Sequence, residues 1–392
     1  MARIDPHASQ EDRAARGKAA RREMPREGHA QWDATRRVHD PLDLLAEQAL
    51  TRVPELVPVR HGRMAVSPFA CFRGAALPMA ADLATSPHSG LMVQSCGDAH
   101  LSNFGGFASP ERTMVFDVND FDETAPGPFE WDLKRLAASL EVAARGREFD
   151  STTARRITLA ALRSYQETIR SFATMSGLDV WYSRLDVDGA IQRWGRGASA
   201  KRVEAFRRGV AKASEKGQIK ARAKLTRTDD HGLCFISDPP LLVPARELYD
   251  EADATALRVT LEKSLQGYRR SLQGDRRHLL GDYRLVDVAR KVVGVGSVGT
   301  RALVALFVGH NDDDTLILQV KEAEASVLER FIGPSSLRPA PRPHRRTGPG
   351  GIGEEDPPAA HRASSLTHLG PGQGDGRPLT WLHFQGGLLR LA

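Results

Sequence analysis

Apolar residues in this chain recur at two periods, and the change of period divides the sequence. Asp40-Pro41 followed by LDLLAEQAL predicts a capped helix with proline in its first turn. Residues 56–82 mix short strand-like runs with Pro and Gly turns, and LMVQSC at 91–96 predicts a buried strand. Trp131-Asp132 opens a long helical pattern, with Asp132 as its expected N-cap. Another helix begins at Ser151, where Leu162, Tyr165, Ile169 and Phe172 fall on one apolar face. Residues 178–225 continue helical and basic, 233–244 give a short strand and a Pro-rich turn, and 253–274 return to helix.

The step then shortens to two. Residues 283–323 read as strands with a hairpin turn at 311–314. In the last of them Leu316, Leu318 and Val320 face one side and Lys321 the other. A short helix, EASVLERFI, follows. Residues 1–35 are polar and predict a loosely ordered leader. From about residue 334 the chain becomes rich in Pro, Gly, Arg and His, with no periodicity able to bury a face. Four regions result: a polar segment with its lead-in helix (1–55), a helical lobe (56–280), a β-rich lobe (281–333) and a low-complexity tail (334–392).

Composition narrows the class. The 392 residues are 41% hydrophobic and 27% charged, as expected of a chain with a substantial core. No run approaches the roughly 18 apolar residues of a membrane span, and the charged N-terminus lacks the apolar core of a signal peptide, so cytoplasm is the default. Cys71, Cys96 and Cys234 lie far apart and suit reduced core thiols. The net charge of +6 comes largely from arginine. Without interleaved aromatics, the basic residues of 201–227 read as a solvated helical face rather than a nucleic-acid surface.

The candidate chemistry lies at 97–123, GDAHLSNFGGFASPERTMVFDVNDFDE, which crowds Asp98, Asp117, Asp120, Asp122 and Glu123 into loops around a short strand. Crowded carboxylates need cations or donors, and a divalent metal holding phosphate oxygens meets that need. Asp98 and Asn103 have the Asp-x-x-x-x-Asn spacing of a phosphotransferase catalytic loop, aspartate as base and asparagine on the metal. Asp120 is the expected main magnesium ligand and Asp117 its rival; a pair of Asx turns is the plain alternative. Gly294, Gly296 and Gly299 form a G-x-G-x-x-G between apparent strands, and Lys321 ends the strand after next. That order suits backbone amides and a lysine on phosphates; an ordinary hairpin with a surface lysine is the alternative. Glu324 or Glu329 could pair with Lys321, and Arg60, Arg63 and Arg73 could clamp an anion. His100 follows Asp98 as in Gly-Asp-x-His metallophosphoesterases, but the further ligands of such a site are missing, and Gly309-His310-Asn311 has them in scrambled order.

With these residues in view, the chain over roughly 25–334 resembles a bacterial family, domain of unknown function 2252. The segments RGAALPMAADLA, GDAHLSNFG, VFDVNDFDETAPGPFEWDLKRLAAS and KVVGVGSVGTRALV…LQVKEA carry the resemblance. The family looks distantly related to aminoglycoside phosphotransferases and protein kinases. Against their pattern, 97–103 is similar to the catalytic loop, Asn119-Asp120-Phe121 to the metal loop and Trp131-Asp132-Leu133 to the helix start beyond it. Since the glycine loop and Lys321 come after the catalytic loop here, the resemblance implies an α+β, two-lobed, kinase-like fold in circular permutation. It implies ATP and magnesium as cofactors and a small-molecule or protein hydroxyl acceptor. A nucleotide-binding pseudokinase or sensor is the competing function. The resemblance also implies further strands and helices after Val-Lys-Glu-Ala, where this chain has its Pro/Gly/Arg/His tail; that tail reads like an altered or out-of-frame C-terminus.

Overall fold

The computed structural model describes residues 8–109, 113–195, 199–214, 218–230, 232–322 and 324–333, with two further strand segments at 366–367 and 382–386. Most of the expected tail therefore lies outside the described residues. Helix α1 (Gln10–Glu23) corrects the expectation of a loosely ordered leader. Its sequence is rich in Ala and Arg, good helix formers, and Ser9 and Asp12 close a reciprocal capping box at its start. Helix α2 (Pro41–Ala49) forms as expected, with the Asp40 carboxylate accepting from Leu42 N at 2.7 Å.

Residues 56–82 are not strand-like. They fold as three short helices, α3 (Val57–Ala65), α4 (Pro68–Arg73) and α5 (Ala76–Ala84). The prolines that suggested turns stand in first helical turns, where a missing N–H costs nothing, and Ser67 caps α4 through Ala70 N.

Strand β1 (Met92–Ser95) is half-exposed rather than buried and pairs antiparallel with β4 (Ala125–Pro128). Between them a second ribbon, β2 (Phe104–Ala108) and β3 (Met114–Val118), folds back on itself. The acidic stretch is thus two loops at the junction of nested ribbons. Helix α6 (Phe129–Arg145) follows, and α7 (Ser151–Phe172) is capped by Asp150. On the expected apolar face of α7, Tyr165 and Ile169 remain exposed. Helices α8 (Gly177–Tyr182), α9 (Val187–Trp194), α10 (Ala200–Ser214) and α11 (Gln218–Leu225) complete this helical part.

A hairpin of β5 (Thr226–Asp229) and β6 (Gly232–Phe235) leads to β7 (Leu242–Pro244), α12 (Ala245–Leu248), α13 (Glu251–Ser271) and α14 (Gly274–Gly281). Then come β8 (Arg284–Lys291), β9 (Ala302–Val308), β10 (Thr315–Glu322), α15 (Glu329–Ile332), β11 (Leu366–Thr367) and β12 (Leu382–Gly386). They build an antiparallel sheet of order β11-β12-β10-β9-β8-β7. The glycine loop joins β8 to β9, and the expected turn at 311–314 joins β9 to β10.

Both sheet faces are covered. Leu316, Leu318 and Val320 pack with Leu261, Leu265 and Tyr268 of α13, while Ile317, Leu306 and Val304 pack with Phe235 of β6. This unit therefore draws in elements that precede the expected lobe boundary at 281. A separate core joins Ala80 and Leu83 of α5, Trp131 of α6 and Leu328, with Phe331 and Ile332 of α15 alongside. The architecture is mixed α and β, and no described helix is long and apolar enough to cross a membrane.

Candidate functional site

Helix α6 organises the loop that carries Asp98. Asp132, Arg135 and Ser139 share a face at steps of three and four, and each reaches into residues 96–101. The Asp132 carboxylate accepts Cys96 N at 2.7 Å and Gly97 N at 3.0 Å, Ser139 Oγ accepts Leu101 N at 3.0 Å, and Arg135 Nε donates to Asp98 Oδ1 at 2.6 Å. Asp132 is accordingly not the helix N-cap expected of it. The helix begins three residues earlier, after Pro128, and the carboxylate clamps the loop instead. Burial raises the Asp132 pKa, against the pull of the two amides.

Arg135 is buried, stacks on the Phe72 ring with its guanidinium carbon 4.5 Å from the centroid, and donates to the Phe72 carbonyl at 3.1 Å. On the other side of Asp98 lies the buried His100, its Nε2 3.6 Å from Asp98 Oδ2. Burial lowers the His100 pKa, which favours the neutral ring. Asn103 donates from Nδ2 to the Asp98 carbonyl at 3.0 Å, leaving Oδ1 as the atom able to accept a cation.

The second acidic loop lies against the first. Asn119 N donates to the Asn103 carbonyl at 2.9 Å, and Gly97, at φ +83°, sits where a Cβ would overlap the Glu123 carbonyl. Asp120 lies in this crowd; burial and then Asp122 raise its pKa, while Lys321 opposes them and Asp98 adds to the rise. Asp117, the rival ligand, is exposed on β3, paired with Gly105, and its carboxylate accepts the next amide, Val118 N. The Glu123 carboxyl, pushed by burial up to about 7, accepts Val327 N at 2.8 Å, and its carbonyl accepts Ser326 Oγ at 2.7 Å.

The sheet reaches this cluster through Lys321. From the end of β10 its Nζ donates to Asp122 Oδ2 at 2.7 Å, across 199 residues of sequence. Asp122, which had no assigned role, is therefore the lysine's partner, and the Glu324 and Glu329 alternatives are corrected. Glu324 lies instead among Arg52, Arg301 and Glu322, with burial raising its pKa.

The glycine loop rests on the N-terminal helices. Arg63 Nη1 donates to the Gly294 carbonyl at 2.7 Å, and a Cβ built on Gly296 would stand 3.1 Å from the Arg73 carbonyl. Gly299, at φ +90°, packs on the Arg52 side chain, and Val53 N donates to its carbonyl at 2.8 Å. Arg60, one of the three arginines that could clamp an anion, is wholly buried; desolvation and the nearby Arg52 lower its pKa to about 10.

Among the described residues, no three His, Cys, Asp or Glu side chains group as a metal cage. Asp120 and Asn103 are the residues that could hold magnesium, which takes one or two carboxylates and leaves its other positions to phosphates and water. His310 lies in the β9–β10 turn, donating its amide to Asp314. All three cysteines are free; Cys71 is exposed, not a core thiol, while burial pushes the Cys96 thiol well above its ordinary range. A separate cleft of about 340 Å³ between α12, α13 and β8 holds none of these residues, and its Arg246 is paired with Asp287.

Sequence reasoning missed Asp122 and Arg135. Arg135 left a readable trace, since it stands three residues after Asp132 in a helix. Asp122 left none beyond its place in an acidic run.

A family model described as "uncharacterized protein conserved in bacteria" (DUF2252) matches residues 52–347, three quarters of the chain. The match starts later than the expected position 25 and runs past 334. No curated protein and no solved structure matches the chain.

Proposed function

We propose that this chain, which belongs to that bacterial family, is a magnesium- and ATP-dependent phosphotransferase acting on a hydroxyl acceptor. One observation carries the reading: Lys321, from the sheet that bears the glycine loop, meets Asp122 in the loop that holds Asp120 beside Asp98. A lysine and glycine loop from one side, and an aspartate with a metal-binding pair from the other, are the parts phosphoryl transfer requires. Catalysis depends on where groups stand rather than on their order in the chain, so a kinase-like arrangement read in permuted order loses nothing.

In this reading Asp98 orients the acceptor hydroxyl and takes its proton, while Arg135 and His100 fix the carboxylate. Asn103 Oδ1 and Asp120 hold magnesium, which supplies charge neutralisation at the phosphates. Lys321 and the loop of Gly294, Gly296 and Gly299 hold the phosphate chain. Little covalent work falls to the protein; positioning and charge stabilisation dominate.

A second reading, nucleotide binding without transfer, draws support from the Asp98–Arg135 pair. One oxygen of that carboxylate is already taken by a buried guanidinium, which leaves the other for an acceptor hydroxyl. Thermal-shift titration of the intact chain with Mg-ATP, followed by transfer of γ-labelled phosphate to fractionated metabolites, separates the two. Binding with turnover lost in Asp98→Ala supports the transferase. Binding that survives Asp98→Ala, with no turnover in the wild type, supports the sensor. Absence of Mg-ATP binding overturns both.

A further inference from the structure

The ground beneath the glycine loop is made of arginines. Arg63 of α3 is held to the loop by a single bond to the Gly294 carbonyl, which engages one of its five N–H donors. One residue pair of α4 spans both halves of the site: the Arg73 backbone lies under Gly296, and the Phe72 carbonyl accepts the arginine that grips Asp98. Arg73 is close enough to His100 for its charge to disfavour protonation of that ring. Arg52 and Arg60 lie nearby, both buried.

Among the described residues none of Arg52, Arg60, Arg63 and Arg73 forms an ion pair. Arg73 Nε, Arg52 Nε and two nitrogens of Arg60 are buried without a hydrogen-bond partner, as is Arg135 Nη1 beside Asp98. Glu324 and Glu123 act on Arg52 without pairing with it, while Lys321 holds the carboxylate of Asp122. Buried guanidinium donors without partners are satisfied when an anion takes them up, and phosphate oxygens match the guanidinium fork.

We propose that Arg63 and Arg73 form a phosphate grip beneath the glycine loop that takes a polyphosphate chain, whether that of a nucleoside triphosphate or free inorganic polyphosphate. For the nucleotide the grip rests on the function proposed above; for inorganic polyphosphate it stands alone. It assigns to α3 and α4 the larger share of phosphate binding, because Lys321 is already engaged by Asp122.

Calorimetric titration of the full chain with inorganic tripolyphosphate and with Mg-ATP tests this, in wild type and in a variant carrying Arg63→Gln and Arg73→Gln. The expected result is tripolyphosphate binding in wild type that weakens by about tenfold or more in the variant. Mg-ATP should weaken in parallel if the site takes nucleotide. Tripolyphosphate binding that is absent, or equally tight in both proteins, overturns the grip and leaves the transferase reading standing. Tripolyphosphate binding that needs both arginines, with no Mg-ATP binding, upholds the grip and overturns that reading. A variant that does not fold is replaced by phenylglyoxal labelling of wild type. Saturating tripolyphosphate should protect Arg63 and Arg73 but not the exposed Arg16, and unchanged labelling of the two overturns the proposal.

Discussion

Lys321 Nζ stands 2.7 Å from Asp122 Oδ2, and the lysine is nearly buried while the aspartate is about one-third exposed. The pair joins the sheet to the acidic loops and offsets part of the repulsion around Asp120. Lys321→Met removes a cation that opposes the rise at Asp120 while leaving the stem's packing. We expect a loss of roughly 1–3 kcal/mol in urea unfolding. Magnesium alone should restore part of that loss, because the carboxylates left behind gain from a cation. A variant as stable as wild type, with no response to magnesium, would show that the pair and the acid crowding contribute nothing.

Asp132 accepts two backbone amides that immediately precede Asp98. In Asp132→Asn the new NH₂ group opposes one of those N–H donors. Equilibrium unfolding should show a cost of about 1–3 kcal/mol, and hydrogen exchange at Cys96 and Gly97 should quicken. Unchanged exchange at both amides would deny the clamp.

Gly97 combines a left-handed backbone with contact on the Glu123 carbonyl. Gly97→Ala therefore meets strain twice, and a destabilisation of about 3 kcal/mol or more is expected from urea midpoints. Gly90 is a control, since it shares the positive φ but has open space around its Cβ position. Equal costs at the two glycines would mean that the loop contact is immaterial.

The Glu123 contribution to stability should fall as pH rises from about 4.5 toward 7, while His29 and His100, lowered by burial, contribute in the opposite sense. The Glu123 carboxyl ordinarily titrates near 4.5 but is pushed to about 7 by burial. At this group the folded chain thus binds more protons than the unfolded chain across that window, and unfolding becomes easier as they leave. Asp120, Asp132 and Glu324 are shifted in the same direction. Urea midpoints at about pH 5 and about pH 8 check the slope. Glu123→Gln should flatten it in part, and an identical slope in that variant would locate the effect elsewhere.

The longer elements were legible in sequence because local signals decide them. Asp40 and Ser151 announced α2 and α7, and the two-residue step of β10 put Lys321 opposite its apolar neighbours. Helices α3 to α5 were misread because Pro58 and Pro68 serve as helix starters and turn makers alike, and only packing tells which. Spacing brought Asp98 and Asn103 together on the page, as they are in the fold. The Lys321 partner was hidden, since two residues 199 positions apart leave no local trace. Asp132 misled for a related reason: a helix-initial aspartate looks the same whether it caps its own amides or reaches back to Cys96.

The end of β10 and the run that follows it grip the acidic loop at two successive residues. Lys321 holds Asp122, while Ser326 and Val327 hold Glu123. Two anchor points resist rotation where one would serve as a pivot, so the acidic loop is fixed in orientation as well as in place. The glycine loop is moored in the same way at three of its residues, Gly294 by Arg63, Val298 by Arg52 and Gly299 by Val53, so both margins of the candidate site are braced from outside their own turns.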